Sequence, residues 1–140
     1  MKLPAGKYYI GDPCYVIAED RWSDFCDASY PPGAGVNARG IAVTEFDGHP
    51  MYAHGTAYGD GSYLGSDGVS YGVDAGMLSV VPIALVSDMS EAKRLGSIVT
   101  FNHDFKADRD DEYIFHFDDI DIPTGDTDEE DDESFDLRED

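Results

Sequence analysis

Short runs of apolar residues, some alternating with polar ones at a period of two and others continuous, are separated along the chain by glycine-rich turns. That pattern predicts short β-strands. Residues 7–10 make the first run. Gly11-Asp12-Pro13 interrupts it, because proline has no N–H for a ladder, and residues 14–17 continue it. Residues 19–28 break the rhythm: Trp22, Phe25 and Cys26 recur at helical spacing on one face, Ala18 lies a turn earlier, and Glu19 and Asp20 suit a first turn. One short helix is expected there. Residues 30–39, with Pro31-Pro32-Gly33 and Gly35, read as a loop.

Strands then follow closely. Residues 40–46 alternate up to Asp47-Gly48, a strong hairpin signal. Residues 51–58 place Tyr52, His54, Thr56 and Tyr58 on one face and the small Ala53, Gly55 and Ala57 on the other, where another layer approaches closely. Gly65-Ser66-Asp67-Gly68 joins two strands at residues 63–64 and 69–73. Residues 77–86 are nearly all apolar, which marks a central strand, with Pro82 implying an edge or bulge along it. Residues 90–95 read as one helical turn. Strands at residues 98–105 and 113–122, joined by a charged loop at 106–112, close the domain. The fold class is mainly β, α+β by strict count: a small antiparallel sandwich or partly open barrel with one short helix. No internal repeat is evident.

Charge divides the chain into a domain, residues 1–123, and an acidic tail, residues 124–140. The whole carries 30 acidic and 9 basic side chains, a net charge of −21. The tail holds ten of those acids against Arg138 alone, with Phe135 and Leu137 as its only large apolar groups, too few to offset the entropy of ordering. Such a charge disfavours nucleic acid and anionic lipid, and the partners it favours are cationic: a protein with a basic surface, or metal ions. The N-terminal residues lack the apolar stretch of a secretory signal, and the longest apolar run is too short to span a bilayer. With only Cys14 and Cys26, no disulfide scaffold is indicated, and the cytoplasm is the expected compartment.

One block is distinctive. Lys7-Tyr8-Tyr9-Ile10-Gly11-Asp12-Pro13-Cys14-Tyr15-Val16-Ile17, followed by Trp22, then Gly55-Thr56-Ala57-Tyr58-Gly59-Asp60-Gly61 and Val73-Asp74-Ala75-Gly76, resembles a group of small uncharacterised proteins of tailed bacteriophages and prophages. The resemblance covers most of residues 7–86. It implies a phage-type origin, hence the host cytoplasm, and a shared fold, and it transfers no catalytic residue.

Several constellations are candidates for chemistry. Cys14, after the Gly-Asp-Pro turn and beside Asp12, sits where a nucleophile is often presented. Thiol catalysis, however, needs an electropositive setting, and this chain offers carboxylates, so a small buried side chain with Asp12 capping the turn is the plainer reading. A pocket is expected where Asp12 and Cys14 meet Tyr58, Asp60 and Asp74. For metal, His49 and His54 are split by a turn, and His103 and Asp104 fall on opposite strand faces. His116 and Asp118 share a face and form the only candidate pair, without the tight clustering of a zinc site or the loop of a calcium site. No cofactor is expected, since no phosphate-binding glycine motif is present.

The acidic surface carries the leading functional expectation. Asp119 and Asp121 fall on one face of the last expected strand, about 6–7 Å apart, the order of neighbouring backbone phosphates. Asp128, Glu129, Glu130, Asp131, Asp132, Glu133 and Phe135 follow at once. The expected function is a non-enzymatic, phage-type interaction protein that binds a host or viral protein partly through its acidic surface, as a nucleic-acid mimic or host-defence inhibitor. The alternatives are a small-molecule or nucleotide binder, or small enzyme, around Asp12, Cys14 and Asp74, and a minor virion component.

Overall fold

A computed structural model describes residues 1–29, 42–57, 61–74 and 76–124. Strands β1 (Lys2–Leu3) and β2 (Gly6–Gly11) open the chain, followed by a 3₁₀ turn at Pro13–Tyr15 and helix α1 (Glu19–Ser29). β3 (Val43–Phe46) and β4 (His49–Gly55) form one hairpin, β5 (Gly61–Leu64) and β6 (Ser70–Val73) another. β7 (Met77–Pro82) runs into a 3₁₀ turn at Ile83–Leu85 and helix α2 (Met89–Leu95). β8 (Ser97–Phe101), β9 (Phe105–Arg109), β10 (Ile114–Phe117) and β11 (Ile120–Pro123) complete the order.

The strands assemble into a five-stranded sheet, β3-β4-β7-β2-β8, a four-stranded sheet, β1-β9-β10-β11, and the separate β5–β6 ribbon. Every pairing is antiparallel, and no sheet closes into a barrel. The fold is mainly β, as expected, and takes the sandwich form.

The five-stranded sheet is covered on both faces, which explains why its inner strands read as unbroken apolar runs rather than clean alternations. On one face Tyr8, Ile10, Tyr52, Leu78 and Val80 meet Phe105, Phe115, Phe117 and Ile122 of the second sheet. On the other, Tyr9, Met51, Ala53 and Val81 pack under Phe25 of α1, Val16 and Ala92. Ala53 is thus the small residue that lets the helical layer approach. The two sheets are pinned where β8 gives way to β9: Phe101 and Phe105 stack at 3.7 Å, and Tyr8 meets both edge-on, at 5.9 and 5.2 Å.

The helix at residues 19–28 and both predicted turns are present. Asp47 (φ 51°) and Gly48 (φ 81°) are both left-handed, as a two-residue hairpin of primed type requires. Four expectations are corrected. Residues 13–15 form a 3₁₀ turn instead of continuing β2, because Asp12 caps it and proline suits its first position. The strand expected at 98–105 breaks at residues 102–104 to change sheets, so Lys106 to Arg109 lie in β9, not in a loop. The strand expected at 113–122 is a hairpin, reversing at Asp118 (φ 59°) and Asp119 between the paired Phe117 and Ile120. Pro82 ends β7, which is an internal strand, so its missing N–H falls at a strand terminus. A second helix, α2, is capped by the Asp88 side chain.

Packing continues through Thr124, which is buried. Its hydroxyl donates to the Tyr113 carbonyl (2.6 Å) and accepts from the Ala57 N–H (3.2 Å). The acids at 128–133 and Phe135 lie outside the described residues. Phe115 is fully buried between the sheets. Phe115→Ala should therefore lower unfolding free energy by about 3–5 kcal/mol, read as an earlier urea midpoint at unchanged slope.

Candidate functional site

Asp12 organises the region where sequence features converge. It leaves β2 with no exposed surface and both carboxylate oxygens committed. Oδ1 accepts the Cys14 N–H (2.8 Å), capping the 3₁₀ turn; Oδ2 accepts the Asp74 N–H (2.6 Å) from the far end of β6. Its carbonyl accepts the Tyr9 hydroxyl (2.8 Å). Burial, with Asp12 nearby, raises the Tyr9 phenol far above its ordinary range, so that hydroxyl is a permanent donor. Gly11 makes room for it: at φ 154°, a Cβ there would lie 2.4 Å from the Tyr9 oxygen. Asp74 in turn accepts the Tyr15 hydroxyl (2.6 Å), and burial plus this bond hold the Tyr15 phenol protonated. Asp12, Cys14 and Asp74 are therefore brought together, while Tyr58 and Asp60 lie outside the described residues. The Asp12 carboxylate is a structural clamp, and it does not line the neighbouring cleft.

Beyond the clamp opens a cleft of about 660 Å³. Cys14 and Ile17 form one wall. One stripe of α1, Glu19, Trp22, Ser23, Cys26 and Asp27, forms the other. Those positions follow i, i+3, i+4, i+7 and i+8, a single helix face. Trp22 lies half-buried and stacked on the buried Phe25 (5.4 Å, 11°), which faces the core instead. The two cysteines border one cleft, and burial followed by Asp27 pushes the Cys26 thiol up. That setting opposes thiolate formation.

On the outer face of β9–β11, His116 sits between carboxylates: Nδ1 lies 2.7 Å from Asp121 and Nε2 2.9 Å from Asp110. Carboxylates only accept, so both ring nitrogens carry protons, and Asp110 and Asp121 raise the His116 pKa above 6.5. Asp110 is correspondingly lowered, by His116 first and then by the Ile114 N–H. His54 is the opposite case. Its Nδ1 receives the Gly55 N–H (2.8 Å) and the Arg109 guanidinium (3.1 Å), and burial followed by Arg109 lowers its pKa.

The expected pair of His116 and Asp118 is not formed. Asp118 is in the hairpin turn, 3.3 Å from His103. Likewise Asp119 occupies that turn, and only Asp121 is on the strand. Both corrections follow from the turn, which flips the register of everything after Phe117. Among the described residues no group of three or more His, Cys, Asp or Glu is placed to hold a metal ion, and no helix is long and apolar enough to cross a membrane. Sequence reasoning missed Asp110 as a partner of His116 and the α1 stripe as a cleft wall. The stripe was detectable from helical spacing, with Glu19 and Asp27 added to the apolar positions.

Comparison with protein families, curated proteins and solved structures gives no match.

Two outcomes test this geometry. Asp12→Asn offers one acceptor oxygen where two buried N–H groups need partners, and should cost about 1–3 kcal/mol in denaturant unfolding. In an NMR pH titration His116 should titrate above 6.5 and His54 below it. Because the folded His116 pKa is raised, its stabilisation is complete below 6.5 and fades as pH rises through the folded value. His116→Gln should therefore weaken the protein at acidic pH and leave it nearly unchanged well above.

Proposed function

We propose that this chain is a non-enzymatic interaction protein of phage type, which binds a host or viral protein of basic surface partly through its own acidic surface. The observation that carries this reading is a face on which acids outnumber cations even after His116 is set against Asp110 and Asp121 and His103 against Asp118. Between residues 104 and 121 stand eight acids, Asp104, Asp108, Asp110, Asp111, Glu112, Asp118, Asp119 and Asp121, all exposed or half-exposed, against Lys106 and Arg109. Arg109 is turned inward, with its guanidinium 4.1 Å over the Tyr113 ring and donating to the Gly55 carbonyl (3.0 Å). The domain's other arginines with described side chains are engaged as well, Arg21 by Asp24 and Asp47, Arg94 by Glu91. The negative field therefore points outward, and the ten acids of residues 124–140 extend it.

A non-enzymatic role fits the clamp. Asp12 and Asp74 accept backbone and phenol hydrogen bonds, and the cleft that holds both cysteines is bordered by Glu19 and Asp27, with no histidine, lysine or arginine among its lining residues. The block at residues 7–17, with its phage-type resemblance, makes a host or viral protein the expected partner.

The test compares the full-length protein with a full-length variant in which Asp128, Glu129, Glu130, Asp131, Asp132 and Glu133 are changed to their amides. Bacterial lysate is passed over each at low and high salt. A discrete basic protein held by the wild type, released by salt and lost from the variant is the expected result. Identical profiles with no salt dependence would sink the acidic-surface reading.

A further inference from the structure

The chain itself shows how an arginine is held in this fold. Arg21 lies with its guanidinium 5.2 Å over the Phe46 ring and is paired with Asp24 and Asp47. A ring face below and carboxylates at the rim satisfy a flat, weakly hydrated cation in both directions.

The cleft beside α1 has the same parts and, among the described residues, no cation. Trp22 supplies the aromatic wall, and of all side chains an indole attracts a cation best. Glu19 and Asp27 flank it on the same helix face, about 12 Å apart along the axis with Trp22 between them. Both are exposed, neither forms a salt bridge among the described residues, and no basic residue lines the cleft. Ile17 offers an apolar surface for an aliphatic stem. The volume, about 660 Å³, is within the range of ordinary ligand pockets.

We propose that this cleft docks an arginine side chain of the basic protein partner, with the guanidinium stacked on Trp22 and flanked by Glu19 and Asp27. The proposal rests on the reading of the chain as a binder of a basic protein, and adds the point at which diffuse attraction becomes a fixed register. Acidic surface draws a partner in; a stacked arginine decides how it sits.

Trp22 is the only tryptophan, so its emission reports occupancy of the cleft directly. The probes are two peptides, acetyl-Gly-Arg-Gly-amide and the same peptide with citrulline, which keeps the shape of arginine and removes its charge. With the full-length protein at physiological salt, the arginine peptide should change Trp22 emission saturably, and the citrulline peptide should bind about tenfold more weakly. Glu19→Gln combined with Asp27→Asn, both on exposed positions, should erase that preference. Changing the tail acids to amides should leave it intact. An equal response to both peptides would assign the cleft to neutral, apolar ligands and overturn the proposal. So would an undiminished arginine preference in the Glu19→Gln, Asp27→Asn variant. If the arginine preference fails while salt-sensitive capture by the tail persists, the cleft assignment falls and the acidic-surface reading stands.

Discussion

The arrangement depends on one buried carboxylate. Asp12 has no exposed surface, yet it ties the 3₁₀ turn after β2 to the end of β6, 62 residues away in sequence. A buried carboxylate is costly unless it is hydrogen-bonded, and two backbone N–H groups at 2.8 and 2.6 Å, one to each oxygen, meet that need. In turn the clamp decides where the chain leaves the central sheet. The 3₁₀ turn sends residues 16 and 17 under α1, and that placement sets the helix so that Phe25 enters the core while Trp22 borders the cleft. Fold and cleft thus share one anchor point.

Much of the fold was legible because the signals were local. The Asp47-Gly48 turn, the ribbon around residues 65–68 and α1 each rest on a few adjacent residues whose backbone preferences agree with the final structure. Errors arose where one apolar run served two elements. Residues 98–105 stay apolar across a change of sheet, and the hairpin at residues 118–119 is marked by two aspartates instead of glycine. A strand drawn through that turn placed His116 with Asp118. The real register sets His116 opposite Asp121 and beside Asp108. The candidate site shows the same limit: Asp12 hydrogen-bonds the backbone of Cys14 and of Asp74, yet only Cys14 lines the cleft, and nothing in a linear pattern shows that each oxygen of Asp12 already holds a backbone N–H.

Two histidines illustrate how thoroughly environment overrides residue type. His54 meets only donors, the Gly55 N–H and the Arg109 guanidinium, and His116 meets only carboxylates. Their pKa values move in opposite directions, down for His54 through burial and then Arg109, up for His116 through Asp110 and Asp121 against the pull of burial. Arginine use follows a related rule. Arg21 and Arg109 each lie over an aromatic ring, so this acidic protein holds two of its few cations by stacking as well as by polar contacts.

Neither sheet closes on itself, so β3 and β8 border the larger sheet and β1 and β11 the smaller one. Open borders invite strands of other copies to add on. Here β1 is only two residues long, and β11 carries Asp121 exposed on its solvent side. The repulsion of a chain at −21 does the remaining work of keeping copies apart. As the medium is acidified toward the isoelectric point near 4.1, that repulsion fades and the open borders lose their electrostatic cover.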